Sequence, residues 1–271
     1  MKRAVLVVLL VLAGCSGSPG RPRVPDTQLV ASTTQFRNQE GTRALRTGVT
    51  NSSARSVSVG TATFVWPGFA WPSVRVAQTV PAGQTAAFDT TYGAARCGEQ
   101  PTRKASIRVS IDGAVRTLPL QVEDPGLLLR LWRRACGLQA LARVASVRLA
   151  PGRLDGPRYR ASIEITRRSG RAPVRVVDVG GSVIIDMLAP GRPRVLRGSS
   201  LRLPVTFRPF DRCDPHSLSQ SQQTFLLSAY LRVGDDPVVR LILPLSHRVR
   251  ADLQTMIDTY CATPGVPDVS P

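Results

Sequence analysis

Lysine is almost missing from this chain: of its 36 Lys and Arg residues, only Lys2 and Lys104 are lysines. Histidine is as scarce, with His216 and His247 alone, and the 18 acidic residues are scattered. A structural or catalytic zinc centre needs three or four ligands at compatible spacing, and two separated histidines supply little toward one. The sequence also lacks Gly-x-Ser-x-Gly, His-Glu-x-x-His and a Walker-type glycine loop, the local signatures of the commonest hydrolases and nucleotide enzymes. No nucleophile and base stand in a recognisable pair, so the expectation is a protein that is not an enzyme. A hydrolase whose carboxylates come from distant strands remains the least favoured alternative. Beyond the first residues no apolar run is long enough to span a bilayer.

What is present begins with an address. Residues 1–15 read MKRAVLVVLLVLAGC: Lys2 and Arg3 form a positive start, and Ala4–Val11 an apolar stretch of export-signal length. Leu12-Ala13-Gly14-Cys15 resembles the lipobox of bacterial lipoproteins. The resemblance implies a signal peptide over 1–14, a diacylglyceryl group on the sulfur of Cys15, and an acylated amine after cleavage. More than one acyl chain gives stable membrane anchoring. Residues 15–26, with Ser16-Gly17-Ser18-Pro19-Gly20, then read as a flexible tether. The expected location is extracytoplasmic, at the cell membrane, which removes nucleic acid as a partner. The competing reading is an ordinary secretory signal with a chance cysteine.

The length of 271 residues suits two domains of about a hundred residues each, and 42% hydrophobic content supports real cores. Formal net charge is +18, or +16 once Lys2 and Arg3 leave with the signal. Such a balance attracts anionic partners. Arginine runs at 167–175 (RRSGRAPVR) and 192–204 (RPRVLRGSSLRLP) suggest a solvated strand face that also suits an anionic envelope polymer or lipid.

Four cysteines follow Cys15, and three pairings are open to them. A repeat chooses among these. LPLQVEDPGLLLRLWRRAC (118–136) and LPLSHRVRADLQTMIDTYC (243–261) start alike and reach cysteine after the same interval, 125 residues apart, matching Leu128 to Leu253, Leu131 to Met256 and Trp132 to Ile257. TTYGAARC (90–97) parallels VTFRPFDRC (205–213) upstream. The chain therefore reads as a tandem duplication over 27–137 and 142–261, with bridges Cys97–Cys136 and Cys213–Cys261 and a disordered tail at 262–271. ASIRVSIDGAVRTLPLQV (105–122) alternates apolar and polar residues around Asp112-Gly113, a type I′ hairpin signal. Leu201, Leu203, Val205 and Phe207 share one strand face. Each unit reads as an immunoglobulin-like β-sandwich, closed by a short helix: one begins near Asp124-Pro125 and ends at Cys136, the other is capped by Ser246 and ends at Cys261.

Two local features invite chemistry. RCDPH (212–216) gathers Cys213, Asp214 and His216, with Asp211 just upstream. A disulfide-flanking turn is the favoured reading, because the equivalent RCGEQ (96–100) has no histidine; weak metal binding by Asp211, Asp214 and His216 is the alternative. Arg212, Cys213, Asp214 and His216 are similar to an Arg-Cys-Asp-x-His motif of uncharacterised secreted or lipid-anchored proteins of actinobacteria. That resemblance implies no established activity, and SLSQSQQTF departs from the charged stretch that follows the motif in that group. FVWPGFAWPSV (64–74) holds Phe64 and the candidate ligand-binding aromatics Trp66, Phe69 and Trp71; exposed on a loop they would suit a glycan, lipid headgroup or protein, and buried they would fill a core. The combined expectation is a lipid-anchored envelope protein with a binding or scaffolding role and no cofactor. The alternative is a small-ligand or metal-binding lipoprotein.

Overall fold

Alternation writes the strands. In the computed structural model, which describes residues 28–210, 213 and 223–262, Ile107, Val109 and Ile111 of β6 (Ser106–Ile111) are buried while Arg108 is exposed. Asp112 and Gly113 follow with φ of 49° and 81°, the paired positive values that a type I′ turn requires. The chain then returns as β7 (Ala114–Val122). The structure is mainly β and built of several sheets.

The preceding strands are β1 (Leu29–Thr34), β2 (Ala44–Asn51), β3 (Val57–Val65), β4 (Val74–Val80) and β5 (Thr85–Thr91). Their order is β4-β3-β6-β7-β1-β2-β5. β7 joins two halves of this sheet. Its residues 114–119 pair antiparallel with β6, and Leu120–Val122 pair parallel with Ala31–Thr33 of β1. The first core gathers Leu45, Val49, Val59, Phe64, Ile107 and Val109, all at most 3% exposed. Three threonines share this interior, Thr33, Thr47 and Thr90, and their hydroxyls form a chain across β1, β2 and β5 at 3.3 and 3.0 Å. Hydroxyls buried without partners would be costly; here each satisfies the next.

Among the described residues there follow β8 (Ala145–Asp155), β9 (Arg158–Arg167), β10 (Val174–Gly180), β11 (Ile185–Leu188), β12 (Arg194–Leu196), β13 (Ser200–Pro209), β14 (Ser228–Val233) and β15 (Val239–Ile242). They form two four-stranded sheets, β11-β13-β9-β8 and β12-β10-β14-β15. Leu203, Val205 and Phe207 of β13 are buried in the second core, with Leu201 packed at its margin.

Among the described residues two α-helices accompany the strands. α2 (His247–Cys261) starts at Ser246, whose hydroxyl accepts the Val249 amide, and ends at Cys261 as the sequence suggests. Its buried residues Val249, Leu253, Met256 and Ile257 recur at helical spacing. α1 (Leu127–Val144) departs from expectation at both ends. Gly126 is its N-cap residue, while Asp124 sits outside the helix, accepting the Gly126 amide and pairing with Arg130. Cys136 does not end α1. The helix runs eight residues further and passes straight into β8, so residues 138–141, left between the expected units, are helical. Leu127, Leu128, Leu129, Leu131 and Trp132 enter the first core and Leu141 the second. Burial of such side chains contributes about 1.5–3 kcal/mol each, so one helix is held from both sides.

Both disulfides form as the repeat implies. Cys97 joins Cys136 and Cys213 joins Cys261, with Cα separations of 5.5 and 5.4 Å. Disulfides of this kind belong to oxidising compartments outside the cytoplasm. Among the described residues no helix is long and apolar enough to cross a membrane.

Candidate functional site

The aromatic segment folds inward. Trp66 and Phe69 are 3% and 1% exposed, and Trp71 is half-buried against Phe64, their rings stacked at 4.4 Å. Phe69 lies edge-on to Trp71 and also meets Tyr92 at 4.6 Å. The indole N–H of Trp66 donates to the Thr102 carbonyl, and that of Trp71 to the Trp66 carbonyl. Close packing explains the intervening glycine: a Cβ on Gly68 would stand 2.1 Å from the Trp66 ring. Trp71 is the ring that reaches the rim, beside Arg96 and Arg108.

The other sequence candidates divide. Cys15, Asp211, Asp214 and His216 lie outside the described residues, while Cys213 is placed in its disulfide. Among the described residues no three of His, Cys, Asp and Glu gather as a metal site. His247 is exposed at the first turn of α2.

Many arginines of the two runs are engaged in holding loops. Arg167 donates to four carbonyls, those of Gly198, Gly170, Ala172 and Leu196, and thereby ties the 168–173 turn to the approach of β13. Arg202 bonds Ser162 and Glu164, and Glu164 also takes Arg148, an Arg-Glu-Arg ladder across β8, β9 and β13. Arg192 pairs with Asp178 and Arg208 with Asp186.

A less compensated group lies where the two cores meet. α1 approaches β15 closely at Gly137, where a Cβ would stand 2.1 Å from Cγ1 of Val239. Beside this contact runs a groove of about 520 Å³. Leu131, Ala135 and Leu138 of α1 and Leu241 of β15 give it an apolar lining, and Glu40, Arg43, Tyr92 and Arg134 give it polar walls. One wall is fixed to α1 by the Cys97–Cys136 bridge, by Trp132 donating to the Arg96 carbonyl, and by Gln139 donating to that of Ala95.

The electrostatics of the groove are lopsided. Arg240 pairs with Glu40 at 3.3 Å. Arg134 spends its Nε–H on the Arg240 carbonyl at 3.1 Å. Burial first, and then the charge of Arg240, hold Arg134 below the ordinary arginine value, though a guanidinium remains charged at any neutral pH. Burial pushes the Tyr92 phenol above its usual value, against the pull of Arg134, a hydrogen bond with Gln35 and the charge of Arg43. Tyr92 is therefore neutral at pH 7, and both guanidiniums act on it. Chemically the groove offers cationic donors above an apolar floor, with no nucleophile poised against a base. Sequence reasoning missed it because its walls come from four separated segments.

No family model matches this sequence, and no curated protein does. Among solved structures the chain is similar to a protein of unknown function from Porphyromonas gingivalis W83, at 15% identity over 80% of this chain and 97% of that one, with a TM-score of 0.23. It is also similar to the YadV chaperone, at 10% identity over 79% and 97% and a TM-score of 0.19. An exo-chitosanase from Amycolatopsis orientalis matches at 16% identity over 73% of this chain and 25% of that one, with a TM-score of 0.22. Superposition this distant carries no argument about fold or activity.

Proposed function

We propose that the protein is a lipid-anchored cell-envelope protein of two tandem immunoglobulin-like units, 27–137 and 142–261, with a non-enzymatic binding or scaffolding role. The strand orders support the sandwich reading. β7, parallel to β1, divides the first sheet into β1-β2-β5 and β4-β3-β6-β7, and the later strands form β8-β9-β13-β11 and β15-β14-β10-β12, so equivalent strands recur in the same order. Support for the duplication comes from Leu128, Leu131 and Trp132 and their counterparts Leu253, Met256 and Ile257, all of them buried. The observation that carries the binding role is the groove beside α1, since ligand sites favour the seams between packed units.

Anchoring and binding are separable in experiment. Wild-type protein should take up labelled fatty acid and sediment with membranes, whereas Cys15→Ser should be released; a Cys15→Ser protein that still sediments would remove the anchor. With a photo-crosslinker at Ala142, an exposed residue of the groove lining, intact cells should yield one discrete adduct with an envelope component. Recovery of no adduct from a correctly anchored chain would overturn the binding role.

A further inference from the structure

We infer that the groove between the two cores holds an anionic amphiphile, whose carboxylate or phosphate is clamped by Arg43 and Arg134 while its short apolar chain lies on Leu131, Leu138 and Leu241. The inference rests on the binding role above and gives that site its ligand class.

Charge complementarity carries it. Glu40 is the acidic residue lining the groove among the described residues, and Arg240 already occupies it. Among the described residues the terminal amino groups of Arg134 and the guanidinium of Arg43 form no hydrogen bond or ion pair, and Glu40 acts on Arg134 only from beyond ion-pair distance. Two positive charges are thus left over, both acting on Tyr92. In the same groove Arg240 has a carboxylate partner, Glu40. Arg134 instead faces burial and the like charge of Arg240, both of which a bound anion would offset.

Guanidinium forks match the two oxygens of a carboxylate or phosphate. A purely polar anion would leave the leucine floor wet, and a neutral apolar ligand would leave the two arginines unpaired. An anion carrying a short chain satisfies both. The volume of about 520 Å³ falls in the ordinary range for small-ligand sites. The same chemistry has two sources at a cell envelope, a free fatty acid or alkyl phosphate and the headgroup region of an anionic phospholipid.

Isothermal titration of the full chain carrying Cys15→Ser, with decanoate, decyl phosphate and decanol, tests the inference. Decanoate and decyl phosphate should bind one per chain, and decanol at least about tenfold more weakly, the loss of one charge-assisted contact. Arg43→Gln should weaken decanoate about tenfold, while Arg171→Gln, an exposed change away from the groove, should leave it unchanged. The Arg43 side chain makes no hydrogen bond or ion pair among the described residues, and its carbonyl bond to the Tyr92 amide survives substitution, so its variant keeps the test clean even if Arg134→Gln loosens the junction. Flotation with phosphatidylglycerol and phosphatidylcholine vesicles separates the sources: binding in solution identifies a free amphiphile, and binding to phosphatidylglycerol vesicles alone, sensitive to Arg43→Gln, identifies a headgroup. Equal affinity for decanol, an unaffected Arg43→Gln, or no binding in either format would overturn the inference. Decanoate binding without any crosslinked envelope component would sink the envelope role and leave the groove; a crosslinked component with no binding in either format would do the reverse.

Discussion

Asp112 holds a turn by its charge. Its Oδ1 accepts the Ser58 amide at 2.8 Å and its Oδ2 accepts Arg55 at 3.1 Å, fastening the β6–β7 hairpin to β3. The backbone hydrogen bond from Ser58, followed by Arg55, draws this carboxyl below its ordinary value of 3.8. A depressed carboxylate contributes stability that is fully present above 3.8 and disappears as pH falls through the lower folded value. Asparagine tolerates the same positive φ, so Asp112→Asn removes the charge and keeps the turn. The wild-type chain should melt at higher temperature than Asp112→Asn at pH 7, and the gap should close as the pH drops below about 4. A gap independent of pH in calorimetry would mean that the charge does not act there. Asp112 and Arg55 both face solvent, which screens their pairing and keeps the expected difference small.

At the scale of elements, the strands were readable and the longer helix was not. β6, β7 and β13 carry plain alternation with a turn signal of known geometry, and α2 carries a serine cap and a helical stripe, so local chemistry and fold agree. The repeat sets the expected end of α1 at Cys136, and the Gly137 that follows is about 1 kcal/mol worse than alanine inside a helix. Tertiary packing overrides that preference. Gly137 is where α1 meets β15, and the space its Cβ would need is already filled by Val239. The disulfides were legible because they repeat. The groove was not, because Arg43, Tyr92, Arg134 and Leu241 share no motif and meet only through the fold. Gly137→Ala therefore sets helix propensity against packing. Propensity alone would stabilise by about 1 kcal/mol, whereas an overpacked contact typically costs about 1–3 kcal/mol. The expected result is a net loss in thermal or urea unfolding, reversed when Val239→Ala is added. A more stable Gly137→Ala protein would show that the close approach of α1 to β15 is wrong.

For the whole molecule, the consequence of a shared helix is that neither core can melt alone. α1 gives five side chains to the first core and Leu141 to the second, and no loop intervenes before β8. Further ties cross the junction: Arg134 to the Arg240 carbonyl, Arg240 to Glu40, and Gln223 to the Arg37 carbonyl. Disulfides, by contrast, act locally. Cys97 and Cys136 are 39 residues apart, and in the chain-entropy account a bridge of that span stabilises by about 4 kcal/mol. If the cores were independent, removing this bridge would loosen the first and spare the second. Coupling through α1 predicts otherwise. The double variant Cys97→Ser/Cys136→Ser should speed hydrogen exchange at β14 and β15, which contain none of the changed residues, as well as at β6 and β7, and a single calorimetric transition should move to lower temperature. Unchanged exchange in β14 and β15 would show that α1 merely passes between two separate cores. In that case the groove would also lose its fixed shape, because its two sides would no longer be held by one rigid element.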